Sequence, residues 1–94
     1  MIDYKTESIL TRGVETYFRM SEDEVIAIFP TLPGDMNPNT CLSYLHVGQH
    51  GACDKTLIDE LHVAELGQAA DLIFELQSMG YELIMPDYGL RSNI

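Results

Sequence analysis

Positive charge is scarce in this sequence, where five lysines and arginines stand against fifteen aspartates and glutamates for a formal net charge of −10. Residues 1–20 balance Lys5, Arg12 and Arg19 with Asp3, Glu7 and Glu15, and fifteen less three leaves twelve later carboxylates opposed only by Lys55 and Arg91. Such a surface repels phosphate and has no basic stripe to release counterions, which argues against direct DNA or RNA binding. The same charge suits a protein partner with a basic surface, and it also keeps small proteins apart in solution.

Cysteine is nearly absent. Cys41 and Cys53 are too few for a secreted disulfide scaffold of this size, so both are expected as reduced thiols in the cytoplasm. No apolar run is long enough to cross a bilayer, and Met1 leads into Asp3, Lys5 and Glu7 rather than a basic segment followed by an apolar one; no membrane contact is expected. A glycine-rich phosphate loop is missing too, because Gly48-Gln49-His50-Gly51 lacks both the lysine and the spacing. No cofactor is expected.

What is present is enough apolar sequence for one core. The 94 residues are 46% hydrophobic and 21% charged, which fits one α+β domain over 1–94, with 1–13 an extension and 87–94 a polar tail. Val14, Thr16, Phe18 and Met20 alternate with Glu15, Tyr17 and Arg19 at the period of a half-buried strand. A polar turn at 21–24 and the run Val25-Ile26-Ala27-Ile28-Phe29 complete a hairpin. Pro30, Pro33 and Pro38 make the next ten residues an ordered loop. Cys41 to Val47 reads as a third strand, with Leu42, Tyr44 and His46 on one face and Cys41, Ser43, Leu45 and Val47 on the other; Gly48 and Gly51 break it. Asp54 to Val63 suggests a helical turn capped by Asp54.

Ala64 to Met79 is the clearest helix. Ala69, Leu72, Ile73, Leu76 and Met79 form its apolar face, Gly80 is placed to cap it, and Gln68, Asp71, Glu75 and Ser78 face solvent or a partner. Tyr81 to Met85 is a last strand. The expected architecture is a three- or four-stranded, mainly antiparallel sheet of order β-β-β-α-β, with the helix packed on one face. An exposed first strand would offer pairing to a second copy, so a homodimer is one expectation.

Two chemical constellations stand out. Cys41, His46, His50 and Cys53 are four soft-metal ligand types within thirteen residues, in a spacing that matches no familiar zinc site. On a continuous strand His46 and His50 would lie about 13 Å apart, so only a turn at Gly48 would let them share an ion. A Cys53 nucleophile activated by His50 is the corresponding thiol reading. Alternatively, Gly48 to Gly51 forms a recognition loop in which Gln49 and His50 make polar contacts, extended by Tyr44 and His46 on the same strand face. With Asp71 and Glu75 on the helix, these are the candidate binding residues.

The segment VIAIFPTLPG at Val25 to Gly34 resembles the second strand and following turn of HicB-type antitoxins, which carry a phrase ending in FPDLPG and share the β-β-β-α-β order. That resemblance implies an acidic domain neutralising a small basic RNA-cleaving toxin. A longer resemblance, through VIAIFPTLPG, CLSYLHVGQHGAC and ADLIFELQSMGYEL, is to small bacterial and phage-borne proteins in which a YAHVGQHS-like segment precedes a helix ending in a GY turn. It carries no catalytic residue and implies a mobile-element protein that binds another macromolecule, such as an inhibitor of a host defence or nucleic-acid-handling protein. Three functions are thus expected in turn: an acidic protein-binding module, a HicB-like antitoxin, and a metal- or thiol-dependent enzyme.

Overall fold

Burial alternates along residues 14–18 and becomes continuous over Ile26 to Phe29, so the hairpin runs from a half-covered strand into one covered on both faces. The computed structural model describes residues 13–45 and 49–91, apart from the Gln49 side chain. In chain order the elements are β1 (Val14–Glu15), β2 (Tyr17–Ser21), β3 (Glu24–Phe29), β4 (Thr40–Leu45), β5 (Gln49–Asp54), α1 (Leu57–Glu60), β6 (His62–Val63), α2 (Leu66–Ser78), β7 (Leu83–Met85), a 3₁₀ turn (Pro86–Tyr88) and β8 (Leu90–Arg91). The fold is α+β: an antiparallel five-stranded sheet in the order β5-β4-β3-β2-β6, beside a small sheet β1-β7-β8, with α2 across one face of the larger sheet.

The first strand serves both sheets. Val14, Thr16 and Phe18 are all buried, as the alternation requires, but β1 pairs in parallel with β7, and the ladder changes sheet at Thr16. The Thr16 hydroxyl donates to the Val14 carbonyl at 2.8 Å, and its amide donates to the Ile84 carbonyl. A side-chain hydroxyl that bonds its own neighbouring backbone satisfies a buried polar atom without leaving the strand. Of the strand expected to lie open to a second copy, β2 is flanked by β3 and β6 whereas β1 stands at the end of the small sheet; among the described residues the longest edge strand is β5.

The sheet separates two cores. Ala27 and Phe29 of β3 and Tyr44 of β4 face α2 and pack with Ala69, Leu72 and Leu76. Ile26, Ile28 and Cys41 face the other way and meet Leu57, Ile58 and Leu61 around α1. That second face also carries the buried Arg19, whose guanidinium donates to the Ile58 carbonyl at 2.7 Å and to Asp87 at 2.5 Å. A guanidinium this enclosed needs a carboxylate and carbonyls to offset its lost hydration. The expected tail therefore gains structure: Asp87 lies in the 3₁₀ turn, and β8 pairs with β7. Of the expected extension at 1–13, residues 1–12 lie outside the described residues, as do residues 92–94 of the tail.

Turn chemistry explains the remaining joints. Asp54 Oδ1 accepts the Thr56 amide and hydroxyl, so the expected capping aspartate works from two residues before Thr56, which holds the N-cap position of α1. At the start of α2, Gln68 Oε1 accepts the Glu65 amide at 2.8 Å. At its end, Gly80 has φ +103°, its amide donates to the Gln77 carbonyl, and the Tyr81 amide reaches back to Leu76. This left-handed cap is the one its position after the helix calls for.

The β2–β3 turn is less comfortable. Glu22 and Asp23 join the paired residues Ser21 and Glu24, and Glu22 holds φ +57°, a conformation that favours glycine. Glu22→Gly should therefore raise unfolding free energy by about 0.5–1 kcal/mol, the strain relieved less the extra entropy of glycine in the unfolded chain. A higher urea midpoint at unchanged slope would show it; an unchanged or lower midpoint would mean that the turn stores no strain.

Candidate functional site

Helix α2 buries Ala69, Leu72 and Leu76 and leaves the opposite side open. At about 100° per residue, Phe74 projects roughly 150° from that buried stripe, and Asp71 lies about 60° round from Phe74. Phe74 is 71% exposed, an unusual position for an aromatic ring on a helix that already has a complete buried face. Beside it runs a groove of about 420 Å³ between α2 and the small sheet, lined by Leu66, Ile73, Met85 and Leu90. Leu66 and Leu90 are each 45% exposed, so the ring belongs to a contiguous apolar patch rather than standing alone. Large contiguous apolar patches mark interaction surfaces, ligand-binding grooves or aggregation-prone faces.

The other flank of the same helix is acidic. Gln68, Asp71 and Leu72 face Glu24 and Val25 at the start of β3 across a second groove of about 230 Å³. Its floor is apolar and its rim carries two carboxylates. Glu22 and Asp23, at the tip of the β2–β3 turn, adjoin Glu24. An aliphatic stem ending in a cation fits this combination, because a lysine or arginine can lay its methylenes on apolar surface and turn its head towards carboxylates.

One turn beyond Asp71, Glu75 leaves the solvent-facing role expected for it. Tyr44 projects from β4 towards α2 and its hydroxyl donates to Glu75 Oε2. The β4–β5 register sets His50 directly opposite Tyr44, with ring centroids 4.7 Å apart and nearly edge-on. His50 Nε2 lies 3.0 Å from the Tyr81 hydroxyl, and burial pushes the Tyr81 phenol above its ordinary pKa. Three of the expected binding residues, Tyr44, His50 and Glu75, thus meet, together with Tyr81. Tyr44 is only 1% exposed, so this cluster fixes the helix edge and orients Glu75; it is not an open pocket. Asp71 lies in the acidic groove. His46 lies outside the described residues, and for Gln49 only the backbone is placed, opposite Leu45.

The four-residue metal and thiol constellation is divided by the sheet. Cys41 and Cys53 belong to the core around α1, whereas His50 packs with Tyr44 and Tyr81 on the α2 side. Successive residues of a strand point to opposite faces, and three steps separate His50 from Cys53, so this imidazole cannot activate that thiol. Among the described residues, no three histidine, cysteine or acidic side chains gather as a metal site would require. None of their helices is long and apolar enough to cross a membrane.

Sequence reading missed Phe74, Leu66 and Leu90. The signal was there for Phe74: it falls outside the Ala69, Leu72, Ile73 and Leu76 spacing, so a regular helix must present it away from the core. Leu90 carried none, because its place depends on the chain turning back after Pro86. Comparison with protein-family models, with curated proteins and with solved structures finds no match to this chain.

Proposed function

We infer that this protein is an acidic protein-binding module that docks a basic partner across the exposed face of α2. The observation that carries this reading is Phe74: an aromatic ring left 71% exposed at the middle of a helix, with an apolar groove on one side and the Glu24–Asp71 groove on the other. Interfaces concentrate their energy in a few central aromatic or arginine anchors surrounded by a polar rim. Here the apolar patch supplies the anchor, and the carboxylates supply the rim and the choice of partner sign. Charge of this kind mainly accelerates encounter and rejects acidic competitors. The net charge of −10 extends the same bias over the whole molecule.

The resemblances give the partner two concrete forms. The mobile-element reading makes it a host defence or nucleic-acid-handling protein whose basic surface the module covers, so that nucleic acid is excluded by occupation. The HicB-like reading makes it a small basic RNA-cleaving toxin. Co-expression with a neighbouring small basic gene separates them: rescue of growth supports the toxin, and no rescue removes that form while leaving the host target. Affinity capture from the native host tests the inference itself. It requires a basic protein that is retained at low salt, lost at high salt, and not retained by Phe74→Ala or Asp71→Lys chains.

A further inference from the structure

On the sheet face away from α2, the β4–β5 ladder pairs Cys41 directly with Cys53, and their sulfurs lie 4.0 Å apart. Directly opposed residues of antiparallel strands have Cα atoms about 4.5–5.5 Å apart, inside the range a disulfide spans, so the register brings the two thiols within reach of each other. Both thiols are free. Their surroundings are unequal: Cys41 is fully buried against Ile26 and Ile28, whereas Cys53 is half-buried on β5, the edge strand of the sheet among the described residues. An edge strand lets a small molecule approach the outer sulfur, and the inner one is reached only from its partner.

We propose that Cys41 and Cys53 form a reversible thiol–disulfide exchange site whose oxidant is a low-molecular-weight disulfide such as glutathione disulfide. Cys53, as its thiolate, attacks one sulfur of the small disulfide, forming a mixed disulfide and releasing one small thiolate that takes up a proton. Cys41 loses its proton to solvent, then attacks Cys53 Sγ, breaking the mixed bond and expelling the second small thiolate, which takes up a proton in turn. Two protein thiols are oxidised to one disulfide while one small disulfide is reduced to two thiols. Burial, then the neighbouring Cys53, pushes the Cys41 thiol up to about 11, so Cys41 stays protonated at neutral pH and acts second. The product ties the open edge strand to β4 at the base of the hairpin that carries His50. The site uses other residues than the α2 face and lies on the opposite side of the sheet, so it stands or falls separately from the proposed function.

The test equilibrates the folded chain in glutathione buffers of graded poise, quenches with acid and counts free thiols by alkylation and mass. The expected product is an intramolecular Cys41–Cys53 disulfide that dithiothreitol reverses, formed at least tenfold more favourably than in the same chain unfolded in urea. Cys41→Ala should stall as a glutathione adduct on Cys53, and Cys53→Ala should leave Cys41 unmodified while folded. A wild-type chain that stops at the Cys53 adduct, or pairs its thiols no better folded than in urea, overturns the proposal. The wild-type comparison decides the matter even where a variant does not fold.

Discussion

Phe74→Ala should weaken binding of the basic partner by about 30-fold or more, the loss typical when a central aromatic anchor of about 2 kcal/mol or above is truncated. Thermal stability should stay nearly constant, because a ring 71% exposed contributes little to the core. The combination is diagnostic. A core residue would lose stability and binding together, and a bystander would lose neither. Titration calorimetry with the captured partner, beside a thermal melt of each chain, reads both quantities. If Phe74→Ala binds like the parent, the apolar patch is not the anchor and the interface lies elsewhere.

The second large effect is expected far from that face, in the proline-rich loop after β3. The loop folds back on the sheet: the Leu42 amide donates to the Leu32 carbonyl, and Asp35 Oδ1 accepts the Asn37 amide and the Thr40 hydroxyl. These hydrogen bonds hold the Asp35 carboxyl below its usual pKa. Gly34 then passes so close to β4 that a Cβ placed there would lie 2.4 Å from the Cys41 carbonyl oxygen and 2.9 Å from Ala52 Cβ. The first of these is backbone, which cannot rotate out of the way. Gly34→Ala must therefore lift the loop, at a cost of about 3 kcal/mol and more than about 10 °C of melting temperature. A change below about 0.5 kcal/mol would show that the loop shifts freely. The same contact gives a physical reason for the glycine in the segment VIAIFPTLPG, independent of any resemblance.

How far residues alone led can be judged at particular places. The β2–β3 hairpin, the two faces of β4, the loop after Phe29 and helix α2 with its glycine cap were legible, because each rests on local periodicity or on one residue's backbone preference. What was not legible depended on pairing at a distance. The alternation runs unbroken from Val14 to Met20, so nothing local marks the change of sheet at Thr16. Gly48 and Gly51 read as strand breakers, yet β5 begins at Gln49 and runs through Gly51, because pairing with β4 overrides a weak intrinsic tendency. Parallel pairing of β1 with β7 joins residues far apart in sequence, and no short window contains it.

The site divides in the same way. Asp71 was found as a helix position facing away from the core, and it does rim a groove. Glu75 sits on the same expected face but is drawn to the Tyr44 hydroxyl, a contact set by where α2 crosses β4. His50 and Cys53 looked like partners because they are close in sequence. An odd separation on one strand sends them to opposite faces, and Cys53 finds Cys41 instead.

The central claim, that a basic partner is held across α2 by Phe74 and the neighbouring carboxylates, is tested most directly by parallel affinity capture from the native host. The baits are the parent chain, Phe74→Ala and Asp71→Lys, at low and at high salt, with mass spectrometry of what each retains. The account predicts one basic protein enriched by the parent at low salt, depleted at high salt, and lost from both variants while their folding is intact. Retention of the same proteins by all three baits, or capture by the parent that salt does not weaken, would contradict it.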